Sequence, residues 1–154
     1  MSARKTTEEL EKVLGSTHIN EADNYFSENA ESIIQSDRPF ADYVRSLIKE
    51  KKLYQQDIFI RADIPDRYGY KLISEEKRTK QRDIILRLCY AADFSLVETQ
   101  KALKLYGMPQ LYAKVPRDAC LMIAFNDRPG DIIDVNAFLK QKGMEILRST
   151  GLQD

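Results

Sequence analysis

The strongest constraint on what this chain can fold into is a stretch that it writes twice. Arg82-Asp83-Ile84-Ile85-Leu86-Arg87-Leu88 is echoed by Arg117-Asp118-Ala119-Cys120-Leu121-Met122-Ile123, 35 residues later. Glu98-Thr99-Gln100-Lys101-Ala102-Leu103-Lys104 is echoed by Asp134-Val135-Asn136-Ala137-Phe138-Leu139-Lys140, now 36 residues apart after one inserted residue. Gly107-Met108 returns as Gly143-Met144, and Leu111 as Leu147. Each unit, 82–111 and 117–147, reads as a helix, a turn, a second helix and a glycine at the C-cap. Two copies make a duplicated helical hairpin rather than a solenoid, which needs at least about three repeats.

The rest of the chain has the helical period as well. Thr6 or Thr7 can cap a helix over 6–14, with Glu8 and Glu9 in its first turn and Leu10, Val13 and Leu14 as its stripe. A second acidic helix is expected over about 20–34. Ser36-Asp37-Arg38-Pro39 reads as a helix start with a capping side chain and a first-turn proline. Phe40, Tyr43, Val44, Leu47 and Ile48 follow at i, i+3, i+4, i+7 and i+8, the pattern of one buried face. Two short helices, about 54–62 and 66–74, are separated by Asp63-Ile64-Pro65. A further helix is expected over about 81–92. The expected organisation is an acidic helical arm (1–35), a helix-turn-helix domain (36–94) and a C-terminal helical extension packed on it (95–154).

Formal net charge is zero, but it is unevenly spread: residues 1–38 carry −4, residues 39–82 carry +4, and the remainder is balanced. The positive excess near the short helix pair hints at an anionic partner. No apolar run reaches the ~18–20 residues of a membrane span, and the first ten residues have no apolar stretch, so a cytoplasmic, non-membrane protein is expected. Cys89 and Cys120 lie among apolar residues and read as buried structural thiols. With His18 the single histidine, neither a zinc site nor a nucleophile–imidazole pair can be assembled by any usual spacing. Six scattered glycines make no phosphate loop. The expectation is a protein without an active site, cofactor or metal.

The informative segment is Gln55 to Lys80. In a helix-turn-helix the later helix enters the major groove. With Ile64, Gly69 and Leu72 facing the core, Asp66, Arg67, Tyr70, Lys71 and Ser74 are left on the open face, with Tyr68 at its margin. Arg67 can bond guanine with two N–H groups, and Tyr70 can meet a sugar or thymine methyl. Lys71, Lys77, Arg78 and Lys80 are placed for phosphates, and Gln55 or Gln56 for a backbone phosphate. Asp66, Glu75 and Glu76 oppose this, since three carboxylates there would repel phosphate. Two tyrosines beside Arg and Lys equally suit a protein interface. Two readings therefore stand: a regulator that binds double-stranded DNA, or a non-enzymatic adaptor or inhibitor that grips a protein through the same helix or the acidic arm.

Leu53 to Leu72 resembles the Xre/lambda-repressor-like helix-turn-helix family, and more closely a group of small Firmicutes-type regulators within it with a C-terminal helical extension. The residues carrying the likeness are Asp66-Arg67-Tyr68-Gly69-Tyr70, Arg82-Asp83, Ser95 through Gln100, Leu111-Tyr112 and Arg117-Asp118-Ala119. The resemblance implies an all-α, five-helix DNA-reading core and a role in transcriptional regulation, often as a homodimer. The chain departs from that pattern at Asp63, Glu75 and Thr79, and Gly69 replaces an apolar core residue at a helix-propensity cost of about 1 kcal/mol. Met108, Leu111, Tyr112, Met144 and Leu147 follow the helix caps, and either form a dimer surface or pack within the chain.

Overall fold

A computed structural model describes residues 4–34 and 36–150, and among them every regular element is a helix: the fold is all-α. The chain forms two units, 1–37 and 38–154.

The first unit holds α1 (Thr7–Leu14), a 3-10 turn (Ile19–Glu21) and α2 (Ala22–Glu28). Thr6 caps α1 in a reciprocal capping box with Glu9. The second acidic helix is shorter than the 20–34 expected. It stops at Asn29, whose side-chain amide donates to the Tyr25 carbonyl at 2.8 Å, and Lys5 reaches the Asn29 side-chain oxygen. Asn29 is the sole buried residue among those described in this unit, so the arm has no apolar core of its own.

The second unit begins with α3 (Pro39–Glu50), which buries Phe40, Val44, Leu47 and Ile48 as its spacing requires. Its first-turn amide at Ala41 is met at 3.1 Å by the carboxylate of Glu75, 34 residues on, while the N-cap residue Arg38 makes no side-chain cap bond. Then come α4 (Gln55–Ala62) and α5 (Asp66–Ile73), followed by α6 (Arg82–Ala91). Every residue of α6 from Asp83 to Ala91 is buried, which makes it the axis of the unit. It is followed by α7 (Leu96–Tyr106), α8 (Pro116–Asp127) and α9 (Ile132–Gln141).

The duplication is built into the hydrogen bonding of α6–α7 and α8–α9. Both first helices end in a left-handed residue, Asp93 (φ 58°) and Arg128 (φ 54°). Both second helices start with a capping box, Ser95 with Glu98 and Asp131 with Asp134, and end at a left-handed glycine, Gly107 and Gly143. The Leu111 amide donates to the Gln100 side chain at 2.7 Å, and the Leu147 amide to the Asn136 side chain at 2.9 Å. The arginine that opens each copy pairs with the aspartate of the other copy and also donates to carbonyls near the end of its own. Arg82 bonds Asp118 and the Pro109 and Gln110 carbonyls; Arg117 bonds Asp83 and the Glu145 and Ile146 carbonyls. Asp118 also accepts the Tyr112 amide and Asp83 the Arg148 amide, each at 2.9 Å. The swap of partners is that of an isologous pair written within one chain. It buries Leu111 and Leu147 and packs Met108 and Met144 against the core, so of the five residues considered for a dimer surface Tyr112 alone is exposed. Cys89 is buried as expected; Cys120 is half-buried instead.

Candidate nucleic-acid interface

The helices α4 and α5 pack on each other across a turn of three residues, Asp63 to Pro65. Asp63 has φ 55°, a left-handed conformation that Asp tolerates better than most non-glycine residues, and this reverses the chain without a glycine. Ile64 is buried under the turn, and Pro65 leads into α5. Gly69 sits where α5 crosses α4. A Cβ there would lie 2.5 Å from the Phe59 ring, so the missing side chain is the space that Phe59 fills. The Tyr70 ring stands edge-on to Phe59, centroids 4.9 Å apart. Gly69, Leu72 and Ile73 are buried; Asp66, Arg67 and Tyr70 are exposed, Lys71 and Ser74 half-buried.

The expected contact residues fall into two groups. Arg67, Tyr70 and Lys71 share the open side of α5, and Lys77 and Lys80 are exposed just beyond it. Tyr68 is half-buried against the core, with the Lys77 ammonium 5.6 Å from its ring centre. Gln55 is half-buried and Gln56 exposed, both in the first turn of α4. Arg78 is engaged elsewhere. Its guanidinium lies 4.0 Å over the Tyr106 ring, donates to the Tyr106 carbonyl and pairs with Glu75 at 2.7 Å.

Glu75 therefore does not act as its position in the sequence suggests. Its φ is 60°, its side chain is 7% exposed, and its carboxylate is held between the Ala41 amide and Arg78. Of the three carboxylates expected to oppose an anion, Asp66 and Glu76 stay exposed and Glu75 is turned inward and neutralised. The Arg78 partner lies three residues away, but nothing local in the sequence signals the contact with the Ala41 amide, 34 residues back on α3.

Sequence reasoning also missed Arg87. It is 5% exposed and donates to the carbonyls of Ala62 (3.2 Å), Leu147 (2.8 Å) and Arg148 (2.6 Å). Ala62 is the last residue of α4, so Arg87 ties the C-terminal segment to the start of the turn. Ser149 and Thr150 accordingly line a groove with Ile60, Asp63 and Pro65. Burial pushes the Arg87 guanidinium below its ordinary range, with Asp63 and Asp83 drawing it back up. A lone arginine amid the apolar run of α6 was the signal in the sequence.

Among the described residues no three His, Cys, Asp or Glu side chains are grouped to hold a metal, and no helix is long and apolar enough to cross a membrane. Comparison with protein families, characterised proteins and solved structures returns no match.

Proposed function

We propose that the protein is a non-enzymatic, cytoplasmic transcriptional regulator that binds double-stranded DNA. In this reading α4 and α5 act as a helix-turn-helix within a lambda-repressor-like core, α3 to α7, and α5 enters the major groove. The observation that carries the reading is the division of α5. Gly69, Leu72 and Ile73 are spent on the core, while Arg67 is exposed, Tyr70 is half-exposed beside the Phe59 ring and Lys71 is half-buried next to them on the same side of the helix. The inward turn of Glu75 supports it by removing one of the opposing charges. Arg67 is then the base-edge residue, and Lys71, Lys77 and Lys80 meet phosphates. Arg78 holds the loop that carries Lys77 and Lys80.

A second reading, a protein-binding adaptor on the same scaffold, draws support from Tyr54 and Ile60, which are 76% and 69% exposed on and beside α4.

The test is binding to random-sequence duplex DNA across a salt series, with Arg67→Ala/Lys71→Ala alongside. The expected result is binding at about 50 mM salt that weakens steeply with salt, with a shallower slope in the double variant. Absence of binding at about 100 μM protein, above usual non-specific dissociation constants, sinks the DNA reading and leaves the adaptor.

A further inference from the structure

The segment after α9 is held the way a peptide is held in a groove. Residues 144–149 form no regular element, so their backbone groups need partners from elsewhere in the chain. Four successive carbonyls each meet an arginine. Arg117 donates to Glu145 (3.0 Å) and Ile146 (3.2 Å), and Arg87 donates to Leu147 (2.8 Å) and Arg148 (2.6 Å). Asn136 takes the Leu147 amide and Asp83 the Arg148 amide, each at 2.9 Å. Leu147, 2% exposed, is the buried apolar anchor of the segment.

The first copy holds residues 109–112 in the same way, with one difference. There Gln100 both takes the Leu111 amide and donates to the Leu111 carbonyl, so the hairpin closes on itself. Asn136, one methylene shorter, stands in its place in the second copy, and the Leu147 carbonyl goes to Arg87 instead. The residue equivalent to Arg87, 35 positions on, is Met122, whose side chain has no hydrogen to donate. Arg87 is therefore an addition to the repeat, and its third bond leaves the repeat altogether. It donates to the Ala62 carbonyl at 3.2 Å, at the end of α4, where helix carbonyls lack partners within the helix.

We propose that residues 145–148 are a strap that sets the α4–α5 turn through Arg87, so that strap and turn open together. Arg87 is 5% exposed and bonds three backbone carbonyls, two of them on the strap. When the strap lifts, those two acceptors leave with it. A guanidinium left in the interior with one acceptor is costly, so it follows the strap to water and gives up Ala62. The turn then keeps its local bonds, the Asp63 amide to the Ile60 carbonyl and the Ile64 amide to the Phe59 carbonyl. Pro65, the entry to α5, is the next residue. Arg87 is thus a positioning residue for α5, and its effect on DNA binding rests on the helix-turn-helix reading above.

The experiment is amide hydrogen exchange on the full chain by NMR, comparing the Ile64 amide in the turn with the Leu86 amide inside α6. Global unfolding moves both, whereas opening of the strap moves Ile64 alone. Leu147→Ala releases the strap, Leu111→Ala makes the same change in the first copy, and Arg87→Met gives α6 the residue that α8 carries. The expected result is Ile64 exchange about tenfold or more faster relative to Leu86 in L147A and R87M, and within about twofold of the natural ratio in L111A. If L147A is too unstable to hold its fold, Leu147→Val reads the same ratio. The same chains are titrated with random-sequence duplex DNA at about 50 mM salt, where L147A and R87M bind about threefold or more weaker and L111A binds as the natural chain does. Ile64 and Leu86 rising in step in L147A or R87M, or L111A moving Ile64 as much as L147A does, overturns the coupling. Faster Ile64 exchange with unchanged DNA binding overturns the role of Arg87 in positioning α5. A natural chain that binds no DNA sinks the proposed function instead, and the exchange ratio still decides the coupling.

Discussion

Arg117 grips Asp83 with two parallel bonds of 3.0 and 2.9 Å, and the same arrangement recurs with Arg82 and Asp118 exchanged for them. The side chains of Asp83 and Asp118 are 10% and 5% exposed, and each carboxylate also takes a backbone amide from the other end of a hairpin. Two such clasps make the duplicated half a closed unit. Either carboxylate, once its arginine is removed, is a buried charge with one bonding partner fewer.

Asp118→Ala leaves the Arg82 guanidinium and the Tyr112 amide without their shared acceptor and should destabilise the protein by about 3 kcal/mol, the usual cost of breaking a buried pair. Urea denaturation checks it. Reversing the pair as Arg82→Asp/Asp118→Arg should recover only part of the loss, because the Tyr112 amide needs an acceptor at position 118.

Gly69→Ala should lower stability by about 1–3 kcal/mol, although alanine is the better helix former by about 1 kcal/mol. The added Cβ meets the Phe59 ring at 2.5 Å. Phe59→Leu in the same chain should restore part of the loss. A gain in melting temperature from Gly69→Ala alone would show that the α4–α5 crossing is looser than described.

Arg78 and Lys71 should separate stability from binding. Arg78→Ala removes a ring contact, a carbonyl bond and the partner of Glu75, so it should cost about 1–2 kcal/mol of stability. Lys71→Ala should leave stability within about 0.5 kcal/mol, as for most surface changes, and weaken DNA binding. Parallel thermal melts and salt-series titrations read both.

Cys89 gives a dependence on pH. Burial pushes its thiol up from 9.0 to about 12, so the unfolded chain gives up this proton first. Stability is unaffected below pH 9 and falls as pH rises from there, by up to about 1.4 kcal/mol per pH unit until the folded thiol itself ionises. Tyr43, pushed up to about 12 chiefly by burial, acts in the same direction from pH 10. Cys89→Ala should flatten the alkaline limb of a stability–pH profile. At pH 8 a thiol reagent should modify Cys120 and spare Cys89 in the folded protein.

Much of the architecture was legible along the chain. The apolar spacing of α3, the threonine cap of α1 and the glycines at 107 and 143 are local signals, since each rests on contacts within about one helical turn. The repeat was legible as well, because duplicated contacts require duplicated residues. The second acidic helix was overextended: Ile33 and Ile34 suggested continuing helix, but Asn29 folds back onto Tyr25 and ends it.

What the sequence by itself determined is thus the helices, most of their ends and the recurrence of one helical-hairpin pattern, all set by forces acting over a few residues. Only the tertiary structure decided which charges are free. Arg78 and Lys80 look alike in the sequence, yet one is stacked on Tyr106 and the other is open to solvent. Glu75 resembles Glu76, yet it caps α3 from 34 residues away. Leu88 and Ile123 are equivalent in the repeat, and one lies under α3 and α4 while the other is bare. A charge or an apolar side chain takes its role from what surrounds it in space, and those neighbours are distant in the chain.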